Sequence, residues 1–164
     1  MGCVGCTALI NASNIINDLN AAECDALFKD IVTYLDRERN LSKILVEGLN
    51  VNILGELLNN IEGLNLQKRM PFKGKPETGL TEFWKKMQSF LKEENRVALL
   101  VMGGVNDHWS VVNEISEKRL SFCDSDEISF FNRSSCTTKE PNSSRIHQIM
   151  PTHTYFLSAS NPQA

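Results

Sequence analysis

The amino-terminal part of the chain carries apolar side chains at the three- and four-residue spacing of amphipathic helices. One stripe follows Cys6 and predicts a helix that begins near this residue. A second follows Asn20, which precedes Glu23 by three positions in the order of a capping box. Two further stripes predict a helix that ends at Gly63 and one that Thr81 caps. The stripe residues are Leu9, Ala12, Ile15, Ile16 and Leu19; Cys24, Leu27, Phe28, Ile31, Val32 and Leu35; Ile53, Leu54, Leu57, Leu58 and Ile61; and Phe83, Trp84, Met87, Phe90 and Leu91.

The carboxy-terminal part of the chain changes to the short apolar runs of β-strands. Residues 97–102 are continuously apolar, which is typical of a strand covered on both faces. Shorter runs follow at residues 109–115, 120–122, 128–130 and 155–157, separated by turn residues. Helices first and strands afterwards predict an α+β fold. We see no point at which two domains separate, so we expect residues 1–164 to form a single domain.

The strands on either side of Glu117 predict a β-hairpin, and the register of this hairpin decides which residue faces His108. The possible turns place Asp124, Asp126 or Glu127 opposite His108, and the tightest turn, at Glu117-Lys118, lacks the Gly or Asn that such turns favour. Directly opposed residues have Cβ atoms about 4.5 to 5.5 Å apart. Each register therefore predicts a carboxylate beside the imidazole, where it fixes the tautomer and stabilises the imidazolium of a general base.

Cys6 is the candidate nucleophile. Its position at the start of a helix places the thiol near unsatisfied backbone N–H groups and the positive end of the helix dipole, which favour a thiolate. Such positions, especially beside a histidine, lower the pKa of a thiol from about 8.5 to roughly 3.5 to 7.5. Cys3 precedes the helix and gains less from the dipole. Cys6 and His108 thus form a candidate pair for nucleophilic catalysis.

Two parts of the sequence resemble the papain-like cysteine peptidases, especially their bacteriocin-processing branch. They are Cys3-Val4-Gly5-Cys6-Thr7-Ala8-Leu9-Ile10-Asn11-Ala12 at the start, and residues 97–101 with His108-Trp109-Ser110-Val111-Val112 and residues 120–125 later. The resemblance implies a papain-like fold in which a nucleophile helix packs on a C-terminal antiparallel sheet. It also implies a catalytic triad of Cys6, His108 and Asp124, without a cofactor or metal. No Gln or Asn stands before Cys6, so backbone N–H groups would form the oxyanion hole.

The activity implied by this resemblance is hydrolysis of a peptide or isopeptide bond through an acyl-enzyme. The same triad would also serve a glutamine deamidase or an acyltransferase, and an inactive relative would bind a partner protein instead. A further alternative comes from Met1-Gly2-Cys3, which resembles the doubly acylated ends of Src-type kinases. Myristoylation of Gly2 and palmitoylation of Cys3 would supply the two lipid chains that stable anchoring requires, and would make the protein a membrane-tethered binding module.

Composition and charge narrow the possible partners and locations of the protein. Seventeen basic against twenty acidic residues give a net charge of −3, which together with the lack of a basic run argues against nucleic-acid binding. The apolar run at residues 97–102 is far shorter than the roughly 20 residues of a transmembrane helix, and the start lacks the basic region of a secretory signal. Five cysteines without framework spacing favour a reducing compartment. We therefore expect a cytoplasmic protein with a protein or peptide substrate, associated with a membrane if N-acylated.

The remaining cysteines and histidines are expected to be structural. Cys24 falls on the inner stripe of a helix, Cys123 should face away from the site, and Cys136 belongs to the polar stretch 132–145, which we expect to be a mobile loop. His147 and His153 lack metal-ligand spacing, and the single C-x-x-C of Cys3 and Cys6 has no second pair to complete a zinc site. We expect Trp109 and the loop 132–145 to shape the cleft.

Overall fold

The computed structural model describes residues 4–104, 108–123 and 128–160. Within these ranges the chain forms five α-helices and eight strands. The helices are α1 (Val4–Asn17), α2 (Ala21–Glu38), α3 (Leu41–Glu47), α4 (Val51–Asn60) and α5 (Leu80–Leu91). The strands are β1 (Leu66–Arg69), β2 (Arg96–Gly104), β3 (His108–Ile115), β4 (Arg119–Cys123), β5 (Phe130–Asn132), β6 (Cys136–Thr137), β7 (His147–Ile149) and β8 (Tyr155–Ala159). The expected combination of helices and a mainly antiparallel sheet is therefore present.

The beginning of α2 confirms the predicted capping box. The Asn20 side chain accepts a hydrogen bond from the backbone N–H of Glu23 at 3.1 Å, and the Glu23 carboxylate accepts one from the Asn20 backbone at 2.8 Å. Both bonds satisfy donors that a helix start would otherwise leave unpaired. Four residues of local sequence are therefore enough to determine where α2 begins.

Two other predicted helix ends are wrong. Helix α4 ends at Asn60, and Gly63 lies in a 3₁₀ turn, Glu62–Leu64. Helix α5 starts at Leu80 with Gly79 as its N-cap, so Thr81 lies inside the helix and does not cap it. Leu80 packs against the core beneath α5, which explains the earlier start. The start of α5 thus depends on packing, which is absent from the local pattern.

The strands form one sheet in the order β1-β8-β2-β3-β4-β5, and β7 pairs with β2 beyond the end of β8. All of these pairs are antiparallel, whereas the short pair β6 and β7 is parallel. The hydrophobic pattern did not reveal β1, β6 or β7. These strands have two to four residues, too few for alternation to show. Cys136, expected in a mobile polar loop, instead lies fully buried in β6.

The two faces of the sheet bury separate hydrophobic cores. Helix α1 packs against β2, β3 and β8 on one face, and α5 packs against β2 and β3 on the other. Successive residues of β2 alternate between these cores: Val97 and Leu99 lie under α1, while Ala98 and Leu100 lie under α5. This confirms the prediction that this strand is covered on both faces. No described helix is both long and apolar enough to span a bilayer.

The hairpin between β3 and β4 uses the tight turn at Glu117-Lys118 that its sequence disfavours. Ile115 pairs with Leu120, and the backbone N–H of Ser116 bonds the carbonyl of Arg119 at 2.8 Å. The Ser116 hydroxyl accepts the backbone N–H groups of Lys118 and Arg119 at 3.3 and 3.0 Å. A side chain thus stabilises a turn that lacks Gly or Asn.

A β-bulge between Val112 and Glu114 then shifts the register of the hairpin by one residue, so that Val111 pairs with Cys123. This is the register for which we predicted Asp126, rather than Asp124, opposite His108. Both acids, like Glu127, lie outside the described residues.

Candidate thiol site

A cavity of about 530 Å³ opens at the start of α1. Four parts of the fold meet there: the first turn of α1, the segment from α3 to α4, the adjoining parts of β2 and β3, and the 3₁₀ turn Pro151–His153. The lining residues are Val4, Gly5, residues 44–51, Val101, His108, Trp109 and His153. The cavity has the size of a small-molecule or side-chain pocket. Trp109 lines it as expected, whereas no residue of the stretch 132–145 does.

Cys6 is a chain neighbour of the cavity lining but is not part of that lining. It is the third residue of α1 and follows Gly5, which lines the cavity. Its side chain is fully buried in the core that also contains Trp109 and Val111. The helix-start position predicted for the nucleophile is therefore observed, and the thiol is packed inside. Gly2 and Cys3, the predicted acylation sites, lie outside the described residues.

One wall of the cavity is a close contact of α1 with the segment joining α3 to α4. A Cβ atom added at Gly5 would lie 2.7 Å from Cδ1 and 2.9 Å from Cβ of Leu49. The indole Nε1 of Trp109 donates a buried hydrogen bond of 2.7 Å to the Leu49 carbonyl. Gly5, Leu49 and Trp109 thus hold the wall in place, and they connect α1 to β3.

His108 reaches the same cavity from the sheet. It is the first residue of β3 and pairs with Met102. Further along the strand, Trp109 and Val111 lie in the core under α1, whereas Val112 lies in the core under α5. Regular alternation groups His108 with Val112. At the end of the strand, however, His108 is half-buried and lines the cavity with Gly5. The structure thus brings His108 and the start of α1 to one cavity.

His153 is a second imidazole at this cavity, although its sequence neighbourhood did not indicate a functional role. It ends the 3₁₀ turn Pro151–His153, which joins β7 to β8, and its Nδ1 lies 2.9 Å from the Thr152 hydroxyl. Both strands pair with β2, so this turn lies beside the middle of β2. The position of His153 therefore depends on long-range strand pairing, for which no local sequence signal exists.

The orientation predicted for Cys123 is wrong. Cys123 pairs with Val111 and packs against the core that contains Cys6, so it lies on the α1 side of the sheet. The prediction assumed that the acid at position 124 shares the face of Cys6. Among the described residues that line the cavity, Glu47 carries a carboxylate, and it lies 3.7 Å from the Lys43 ammonium in an exposed ion pair.

Neither a search for grouped metal ligands nor comparison with known proteins gives further information about this site. Within residues 4–104, 108–123 and 128–160, no three His, Cys, Asp or Glu side chains are grouped so that they could hold a metal ion. The chain matches no protein-family model, no curated protein and no solved structure.

Proposed function

We propose that the protein is a cysteine-dependent hydrolase of peptide or isopeptide bonds, with a papain-like arrangement of Cys6 and His108. One observation carries this proposal: the start of α1 and the first residue of β3 line one cavity, and Cys6 lies in the first turn of that helix. The helix start favours the thiolate through its dipole and its unpaired N–H groups. The resemblance of both segments to papain-like peptidases supports the same pairing.

The proposed reaction proceeds in two halves. His108 accepts the proton of the Cys6 thiol, and Sγ attacks the substrate carbonyl carbon to give a tetrahedral oxyanion, which backbone N–H groups at the start of α1 stabilise. Collapse breaks the C–N bond, and the leaving amine takes the proton from His108. Water, deprotonated by His108, then attacks the thioester and releases the acid and the thiol. Either Asp124, which the resemblance implies, or Asp126, which the register of Val111 with Cys123 favours, holds the imidazole in its productive tautomer.

Acylation by an activated ester tests this proposal. With p-nitrophenyl acetate we expect an acetyl group on the peptide that contains Cys6, removable by hydroxylamine, and faster modification of Cys6 than of Cys24, a half-buried thiol on α2. Cys6→Ala should abolish the rapid release of nitrophenol, and Cys24→Ala should preserve it. Rapid release that survives Cys6→Ala would contradict the assignment of the nucleophile.

A second candidate is an inactive domain that binds a partner protein at the same cavity. The burial of Cys6 favours it, as do Leu45 and Val46, which are 51% and 86% exposed at the rim and offer apolar contact area. The acylation experiment separates the two candidates. If Cys6 is acetylated no faster than the buried Cys136, we would assign the protein as a binding domain and not as a hydrolase.

A further inference from the structure

A second cavity, of about 690 Å³, lies at the other end of β3. It is formed by the start of α5, the turn at Glu117-Lys118 and the 3₁₀ turn Arg133–Ser135 with its neighbours. Seven residue steps separate His108 from Ile115, so the two ends of the strand are roughly 23 Å apart. This cavity is therefore separate from the thiol site.

The second cavity is positively charged in a chain of net negative charge. Lys118, Arg133 and Arg145 line it, against the single carboxylate of Glu117, although the whole chain carries a net charge of −3. The ion pairs found among the described residues involve other cations: Arg37, Arg39, Lys43 and Arg96. Three cations thus converge on one cavity, and no described carboxylate lies within ion-pair distance of any of them.

Neutral groups hold both guanidinium groups in place. Arg133 donates from Nη2 to the Thr81 hydroxyl at 3.2 Å and lies over the Trp84 ring, 5.3 Å from its centroid. Arg145 donates from Nη1 to the Cys136 carbonyl at 3.2 Å. Each guanidinium carries five N–H donors, so most donors remain for a ligand. Arginines fixed in this way recognise planar or tetrahedral oxyanions by paired hydrogen bonds.

We propose that this cavity binds a small molecule that carries a phosphate group. Arg133 and Arg145 would bind phosphate oxygens, Lys118 would add a point charge, and the Ser134 hydroxyl lies on the same lining. The first turn of α5, which no side chain caps, adds backbone N–H donors at the rim. Because the volume exceeds that of a phosphate ion, the cavity has room for the organic part of a phosphate monoester.

Calorimetric titration of the full chain with ribose 5-phosphate and with inorganic phosphate, at ionic strength held constant with sodium chloride, tests this site. We expect saturable binding that Arg145→Gln and Lys118→Gln, both exposed positions, weaken by about tenfold or more. Arg37→Gln, on the exposed surface of α2, should leave the affinity unchanged. Arg133→Gln is a further variant, which is informative if its unfolding midpoint matches that of the wild type.

The two probes distinguish the source of the phosphate. Tighter binding of the ester supports a phosphorylated metabolite, and equal binding supports free phosphate held by the same groups. The absence of saturable heat for both probes, or equal affinity in the wild type and in Arg145→Gln and Lys118→Gln, would overturn the proposal.

Discussion

Cys6 and Cys136 are both fully buried, but their surroundings differ. Cys6 lies in the first turn of α1, next in sequence to Gly5, which lines a cavity. Cys136 lies in the short strand β6, and its thiol donates to the Asn132 carbonyl at 3.3 Å. Burial raises the pKa of Cys136 well above its ordinary value, to about 12. The two thiols therefore provide an internal comparison between a proposed reactive cysteine and a structural one.

The raised pKa of Cys136 predicts a loss of stability at alkaline pH. In the unfolded chain the thiol ionises near pH 9, while in the folded protein it stays protonated to about pH 12. The contribution of this thiol to the free energy of unfolding is therefore complete below pH 9 and is lost as the pH rises through this window. The loss approaches about 1.4 kcal/mol per pH unit. Urea unfolding between pH 8.5 and 10.5 should show a shallower decline in Cys136→Ala than in the wild type.

Tyr155 also affects the stability at alkaline pH, because burial raises its pKa as well. Its contribution has the same sign but is present in both proteins, so it cancels in the difference between them. Equal slopes for the wild type and Cys136→Ala would contradict the burial of the thiol.

The two tryptophans allow a matched test of the cavity wall. Trp109 donates from Nε1 to the Leu49 carbonyl and Trp84 donates to the Ser116 carbonyl, each at 2.7 Å. Substitution of either by Phe leaves a carbonyl without its donor and should cost about 1 to 3 kcal/mol in urea unfolding. Trp109→Phe should also change the rate of Cys6 acylation, and Trp84→Phe should not. Equal acylation rates in both variants would show that Trp109 does not influence the reactivity of Cys6.

At the scale of elements, the contact between α1 and the α3–α4 segment predicts an effect of Gly5→Ala. Alanine is the better helix former by about 1 kcal/mol, but its Cβ would overlap Leu49. The overlap should outweigh the gain and destabilise the protein by about 1 to 3 kcal/mol, measured by urea unfolding. Gly79→Ala is the control, because nothing lies within 4 Å of an added Cβ there. A stabilised Gly5→Ala protein would contradict the close approach.

The elements that could be predicted are those with strong local signals. Helix α2 has a capping box, and β2 has a continuous apolar run, so both were recognisable. Helix α3 has only seven residues and gives too little periodicity for recognition. The bulge between Val112 and Glu114 has no local signature, although it determines the register at His108.

At the scale of the whole molecule, one sheet carries a core on each face and a cavity at each end of β3. The position of Cys6 at a helix start was predictable, because capping and periodicity are local properties. The convergence of His108 and His153 on one cavity was not, because it depends on how β3, β7 and β8 are arranged around β2. The same holds for the three cations of the second cavity, which come from separate segments.

Cys6 and His108 are proposed to act as a reactive pair. The most direct test measures iodoacetamide labelling of each cysteine against pH, located by mass spectrometry, in the wild type, His108→Ala and His153→Ala. We predict that Cys6 is labelled at mildly acidic pH, with an apparent pKa below the ordinary value of about 8.5, and that His108→Ala abolishes this reactivity while His153→Ala retains it. Labelling of Cys6 only in step with Cys136, as expected for global unfolding, or a profile unchanged by His108→Ala, would contradict the claim.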